Sequence, residues 1–140
     1  MKKKIFLTGW FLLFAAAIIV NGQCLNLKNK TNFSEELKPY QFDGIINCTS
    51  LSQGQNIALY KTLFSDVLYR LKIVCSDPDN KFQIDVYDLN HNLLFSNVEY
   101  NYCNYWDFTP KQSLQVIVMI TADYIKNNTA EVALITGYKE

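Results

Sequence analysis

The side chains with most to offer chemically lie in one stretch, Tyr100-Asn101-Tyr102-Cys103-Asn104-Tyr105-Trp106. Aromatic rings interleaved with amides suit sugar recognition, because a ring face stacks on the apolar side of a pyranose while an amide exchanges hydrogen bonds with its hydroxyls. Tyr100, Tyr102, Asn104 and Tyr105 are therefore the ligand-binding candidates. Packing competes with that reading: loop tyrosines commonly lie over a sheet edge, and Trp106 falls in a strand-like segment whose ring belongs to the core.

Catalytic material is scarce. His91 is the single histidine, placed between Asn90 and Asn92 in a turn rather than beside a nucleophile. A Ser/His/Asp arrangement lacks a Gly-x-Ser-x-Gly elbow, and a cysteine nucleophile has the same shortage of partners and needs a thiol kept reduced. Paired carboxylates for glycoside cleavage could come from Asp85, Asp88, Glu99 and Asp107, but such pairs need a groove on a larger scaffold, and alternation assigns Asp85 to a solvated face. No catalytic residue is assigned, and the chain reads as a non-enzyme. Asp77, Asp79 and Asn80, with Asp88 and Asn90, offer hard oxygens of the kind Ca²⁺ takes, yet without the spacing of a calcium loop. They read as turn residues, so neither metal nor cofactor is expected.

The chain has 140 residues, one domain's worth. Lys2, Lys3 and Lys4 precede an apolar run from Ile5 to Val20, and Val20 and Gly22 supply small residues before Gln23. This is the pattern of a signal peptide over residues 1–22; the run is short of the ~20 residues of a membrane span. The mature chain is therefore expected to carry no stable span and to be secreted or periplasmic. Gln23, where a lipoprotein has a small residue, disfavours lipidation of Cys24. Cleavage removes three lysines and no acid, leaving ten basic residues against thirteen acidic ones. No Lys/Arg stripe remains, which excludes the electrostatic footprint of a nucleic-acid partner. Cys24, Cys48, Cys75 and Cys103 are an even set bound for an oxidising compartment, so one or two disulfides are expected. Their spacing fits no zinc signature.

Residues 23–38 are polar and without sustained period, an N-terminal arm or short helix. From residue 39 to 140 the pattern is strand-like. Gln55–Phe64 alternates Ile57, Leu59 and Leu63 against Ala58, Tyr60 and Phe64. Tyr69–Ser76 sets Tyr69, Leu71, Ile73 and Cys75 against Arg70 and Lys72. The turn Asp77-Pro78-Asp79-Asn80 leads to Lys81–Leu89, with Phe82, Ile84 and Val86 inward and Lys81, Gln83, Asp85 and Tyr87 outward. Leu93–Val98, Tyr105–Thr109, Ser113–Ala122, apolar on both faces and so central, and Glu131–Lys139 follow. About eight short strands without a useful helical segment predict an all-β fold, an antiparallel β-sandwich.

The succession Tyr69-Arg70-Leu71-Lys72-Ile73-Val74-Cys75, Phe82 to Asp88 with Asn90, Leu94-Phe95-Ser96-Asn97, Tyr105-Trp106-Asp107-Phe108 and Gly137-Tyr138-Lys139 resembles a group of small secreted uncharacterised Bacteroidetes proteins. These are similar in outline to the jelly-roll-like sandwiches of bacterial pre-peptidase C-terminal domains. The resemblance covers roughly residues 40–139 and implies a jelly-roll-like, non-catalytic module. Relatives often carry a cysteine early in the last strand, where this chain has Glu131-Val132, which unsettles any inherited partner for Cys75; pairing of Cys24 with Cys75 and Cys48 with Cys103 is expected here. The function expected is a secreted non-catalytic interaction module that binds a glycan or a secreted protein at the cell envelope. The alternatives are a structural or assembly partner of another secreted protein, or a small hydrolase.

Overall fold

The computed structural model describes residues 24–140; the leader expected over residues 1–22 lies outside that range. Two short helices, α1 (Leu25–Lys30) and α2 (Phe33–Leu37), precede eight strands: β1 (Gln41–Leu51), β2 (Asn56–Leu63), β3 (Leu68–Cys75), β4 (Lys81–Asp88), β5 (Leu93–Ser96), β6 (Tyr105–Phe108), β7 (Leu114–Tyr124) and β8 (Ala130–Lys139). They form two four-stranded sheets, ordered β1-β8-β3-β6 and β2-β7-β4-β5, with every pairing antiparallel. Consecutive strands lie in opposite sheets, β4 and β5 excepted, and this order is that of a jelly roll; the expected all-β sandwich is the fold observed.

Alternation decides the faces. Leu71 and Ile73 of β3, Phe82, Ile84 and Val86 of β4, Val116, Val118 and Ile120 of β7, and Val132 and Leu134 of β8 meet between the sheets. A second cluster lies outside the first sheet, where Leu27, Phe33, Leu37 and Tyr40 pack on Val74, Ala133 and Ile135. That is why β8 is buried on both faces, and why Ala133 and Ile135 read as apolar as Val132 and Leu134. Gly137 permits the close approach: a Cβ there would come within 2.7 Å of the Tyr40 Cβ.

Two sequence expectations are corrected. Cys24 is joined to Cys48, stapling the start of α1 to β1, and Cys75 and Cys103 are free. The helical arm folds back along the outer face of the first sheet, with the Leu27 amide donating to Glu131 Oε2 at 2.9 Å. This brings Cys24 to β1 rather than to β3. Asp85 is buried, not solvated: it stands in register between Ser96 of β5 and Met119 of β7, and one of its carboxylate oxygens accepts from Gln83 Nε2 at 2.8 Å. Strand β1, which no alternation singled out, is long and pairs with β8 along most of its length.

Candidate functional site

The four ligand-binding candidates do not form one surface. Tyr100 ends a 3-10 turn (Asn97–Tyr100) and lies on Phe95, ring centroids 5.6 Å apart. Asn101 and Tyr102 both take left-handed backbone angles, φ 57° and 56°, so the side chains on either side of them diverge. Tyr102 and Asn104 border a depression of about 600 Å³ together with Cys75 and Cys103. Lys81 Nζ stands 5.4 Å from the Tyr102 ring, and a hydrogen bond to Asp123 raises the phenol above its ordinary range. Tyr105 faces a different partner, the Arg70 guanidinium, 4.3 Å from its ring. Asn97, which sequence reasoning left without a role, holds this connection in place. It is fully buried, accepts from the Ile84 amide at 2.8 Å, and donates to the carbonyls of Phe82 and Cys103 at 3.0 and 2.9 Å.

The carboxylates are committed elsewhere. Arg70 grips Asp107 through two parallel bonds of 2.7 and 2.8 Å and lies between the rings of Tyr40 and Tyr105. The Arg70 hydrogen bonds hold the Asp107 carboxyl below the usual carboxylate range, while burial and Asp107 push the Tyr40 phenol up. Asp88 accepts from the amides of Asn90 and Asn92 and from the Asn92 side chain, which lowers its own pKa. His91 is exposed in that turn, at φ 63°. Asp77 accepts from the Asp79 amide, and Asn80 accepts from the Lys126 amide. Among the described residues no group of three or more His, Cys, Asp or Glu could hold a metal ion. The free thiols donate to carbonyls, Cys75 to Asp77 and Cys103 to Tyr105, and burial pushes the Cys75 thiol up.

The two lateral sides of the sandwich differ. On the β5/β6 side a run of stacked rings closes the gap between sheets: Tyr100 on Phe95, Phe95 on Trp106 at 5.5 Å and Trp106 on Phe108 at 4.6 Å, all within 17° of parallel. Outside this seal the β4–β5 hairpin and the 3-10 turn expose Leu89, Leu93, Leu94, Val98 and Tyr100. Strand β5 is also an edge, bonded only to β4, so one row of its backbone donors and acceptors is unpaired.

On the β1/β2 side the gap is open. Residues 43–45 of β1 stand against the single β8 residue Thr136, because the register jumps from Phe42–Gly137 to Ile46–Ile135. Gly44 supplies the left-handed φ of 85° at this bulge, and the Asp43 carboxylate caps it by accepting from the Ile45 amide at 2.8 Å. The bulged strand leaves a cavity of about 750 Å³ walled by Leu63, Val67, Tyr69, Thr136 and Tyr138. Ile45, Tyr60 and Phe64, which are 54%, 63% and 60% exposed, also border it. Thr136 is only 4% exposed, and its Oγ1 is buried without a hydrogen-bond partner. Sequence reasoning missed this site. Its one signal was Asp43-Gly44 inside an otherwise strand-like segment, the composition of a bulge.

No family model and no characterised protein matches the chain at the level of sequence. Among solved structures the fold is similar to that of PliG from Aeromonas hydrophila, a periplasmic lysozyme inhibitor of g-type lysozyme. The TM-score is 0.52 at 10% identity, over 74% of this chain and 90% of that one. The likeness is one of fold.

Proposed function

We propose that this protein is an exported, non-catalytic module that binds another exported protein through the β5 edge. The observation that carries this reading is the exposed apolar group Leu89, Leu93, Leu94, Val98 and Tyr100, on and beside an edge strand with free backbone groups. Apolar surface of this kind, next to unpaired strand groups, recruits a partner by covering the side chains and extending the sheet. A disulfide in the N-terminal arm supports an oxidising destination. The non-catalytic reading rests on the carboxylates, since Asp107 is held by Arg70 and Asp85 is buried against Gln83. The glycan reading loses its support where Tyr100, Tyr102 and Tyr105 turn to separate partners.

The fold likeness to a lysozyme inhibitor makes a cell-wall glycosidase the first partner to test. The mature protein is titrated into g-type lysozyme, with lytic activity and complex formation by size-exclusion chromatography as readouts. If lysozyme gives no complex, crosslinking against the secreted proteins of the source cell replaces it. The expected result is a complex that Leu93→Lys and Val98→Lys abolish while circular dichroism stays native. A partner retained equally by both variants refutes the β5 edge as the docking surface.

A further inference from the structure

The β1/β2 opening is separate from the β5 edge, on the other lateral side of the sandwich, and its properties point to a different occupant. Its volume of about 750 Å³ falls in the range of roughly 300–1,000 Å³ typical of small-molecule sites, which are mostly apolar with a few placed polar groups. The walls come from both sheets, so the space is concave and not a flat docking face. They are rich in flat rings: Tyr60 and Phe64 at β2, Tyr69 on β3 and Tyr138 on β8. The Tyr69 hydroxyl is already engaged, accepting from the Phe64 amide at 3.0 Å, so that ring contributes a surface rather than a free polar tip. Of the charged groups at its border, Asp43 and Glu140 are exposed and Lys61 is half-buried. The deepest polar group is therefore the Thr136 hydroxyl, buried and unpaired.

A buried hydroxyl without a partner carries an energetic cost. A ligand that supplies the missing bond recovers that energy on binding, whereas a purely apolar ligand does not. An ion would have to be desolvated against a mostly apolar wall whose one half-buried charge is Lys61 of β2, and that is unfavourable. We infer that the β1/β2 opening is a binding site for a small, uncharged aromatic molecule carrying a hydroxyl, its ring against the tyrosine and phenylalanine walls and its hydroxyl bonded to Thr136.

The test uses 2-naphthol and naphthalene as probes, titrated into the disulfide-bonded protein and followed by methyl and amide NMR shifts. The expected result is saturable binding of 2-naphthol with shifts centred on Ile45, Leu63 and Thr136, about tenfold tighter than naphthalene. Thr136→Val brings the two probes to equal affinity, and Thr136→Ser keeps the preference, which separates loss of the hydroxyl from loss of the fold. Leu93→Lys on the far side leaves both affinities unchanged, so the outcome is independent of partner binding at β5. Equal affinities for the two probes in the native protein, shifts centred elsewhere, or no saturation overturn the inference.

Discussion

Replacing Thr136 by valine is expected to stabilise the protein, and the reason lies in a single oxygen. Thr136 sits on β8, 4% exposed, with its Oγ1 buried and without a hydrogen-bond partner. Valine keeps the branched shape and the β preference of threonine while exchanging the hydroxyl for a methyl. The unpaired hydroxyl costs roughly 1–3 kcal/mol, and the added methyl buries a few tens of Å² at about 25 cal/mol per Å². After allowance for imperfect packing, a net gain of about 1–2 kcal/mol follows. For a domain near this size that corresponds to about 3–8 °C in Tm, or about 0.5–1 M in the urea midpoint. The assay is urea denaturation by far-UV circular dichroism at neutral pH on the disulfide-bonded protein, with Thr136→Ser beside it. Serine keeps the orphan hydroxyl and loses a methyl, so it is expected to be less stable than the native protein. A valine variant less stable than the native protein by 1 kcal/mol or more would falsify the claim that the hydroxyl is unpaired, and with it the energetic basis for a ligand at that position.

Three other outcomes follow from the same structure. Cys24→Ser opens a link between residues 24 apart in sequence, for which the loop-entropy relation gives a loss of about 3 kcal/mol, read as a lower urea midpoint that reduction of the native protein reproduces. Asn97→Ala removes three hydrogen bonds, two to β4 and one within the connection to β6, and is expected to cost about 3 kcal/mol, with faster amide exchange at Ile84 as the local signature. Asp107→Asn tests the Arg70 pair by pH. Because Arg70 holds the folded carboxyl below its unfolded value, that contribution is complete above about pH 4 and disappears as the pH falls through the depressed folded value. Urea midpoints from pH 2 to 7 should therefore show a native advantage over the Asn variant at neutral pH that shrinks below about pH 4. An advantage constant across that range contradicts the assignment.

What the sequence made legible was periodic. Tyr69–Ser76, Lys81–Leu89 and Ser113–Ala122 alternate cleanly because one or both faces meet the inter-sheet core, and the structure places strands at each of them. Strand β1 was hard to see because its residues are exposed or half-buried up to Leu51 and its period breaks at the Asp43–Ile45 bulge. Asp85 was misplaced because alternation reports which side of a strand a residue occupies, not how closely its cross-strand neighbours, here Ser96 and Met119, crowd it. The disulfide depended on where the helical arm of residues 25–37 folds back, a long-range event set by Leu27, Phe33 and Leu37 packing on Val74, Ala133 and Ile135. The tyrosine cluster dispersed for a local reason: two consecutive left-handed residues, Asn101 and Tyr102, break the alternation that would have kept its members on one face.

The two lateral sides of this jelly roll face the same physical problem and resolve it differently. Where two twisted sheets part at their edges, the core is open to water unless side chains span the gap. At β5 and β6, Tyr100, Phe95, Trp106 and Phe108 span it as a stack, so apolar area left over lies outside the seal, on Leu93, Leu94 and Val98. Such a surface can only be covered by something large. At β1 and β2, the bulge at Gly44 moves the edge strand away from Thr136, and no aromatic stack replaces it. That side keeps its unused apolar area inside, around a buried hydroxyl. One frame thus separates two kinds of recognition by where the uncovered apolar surface falls, and a double variant carrying Leu93→Lys and Thr136→Val is expected to lose protein binding and hydroxyl selectivity independently, because no residue of either site contributes to the other.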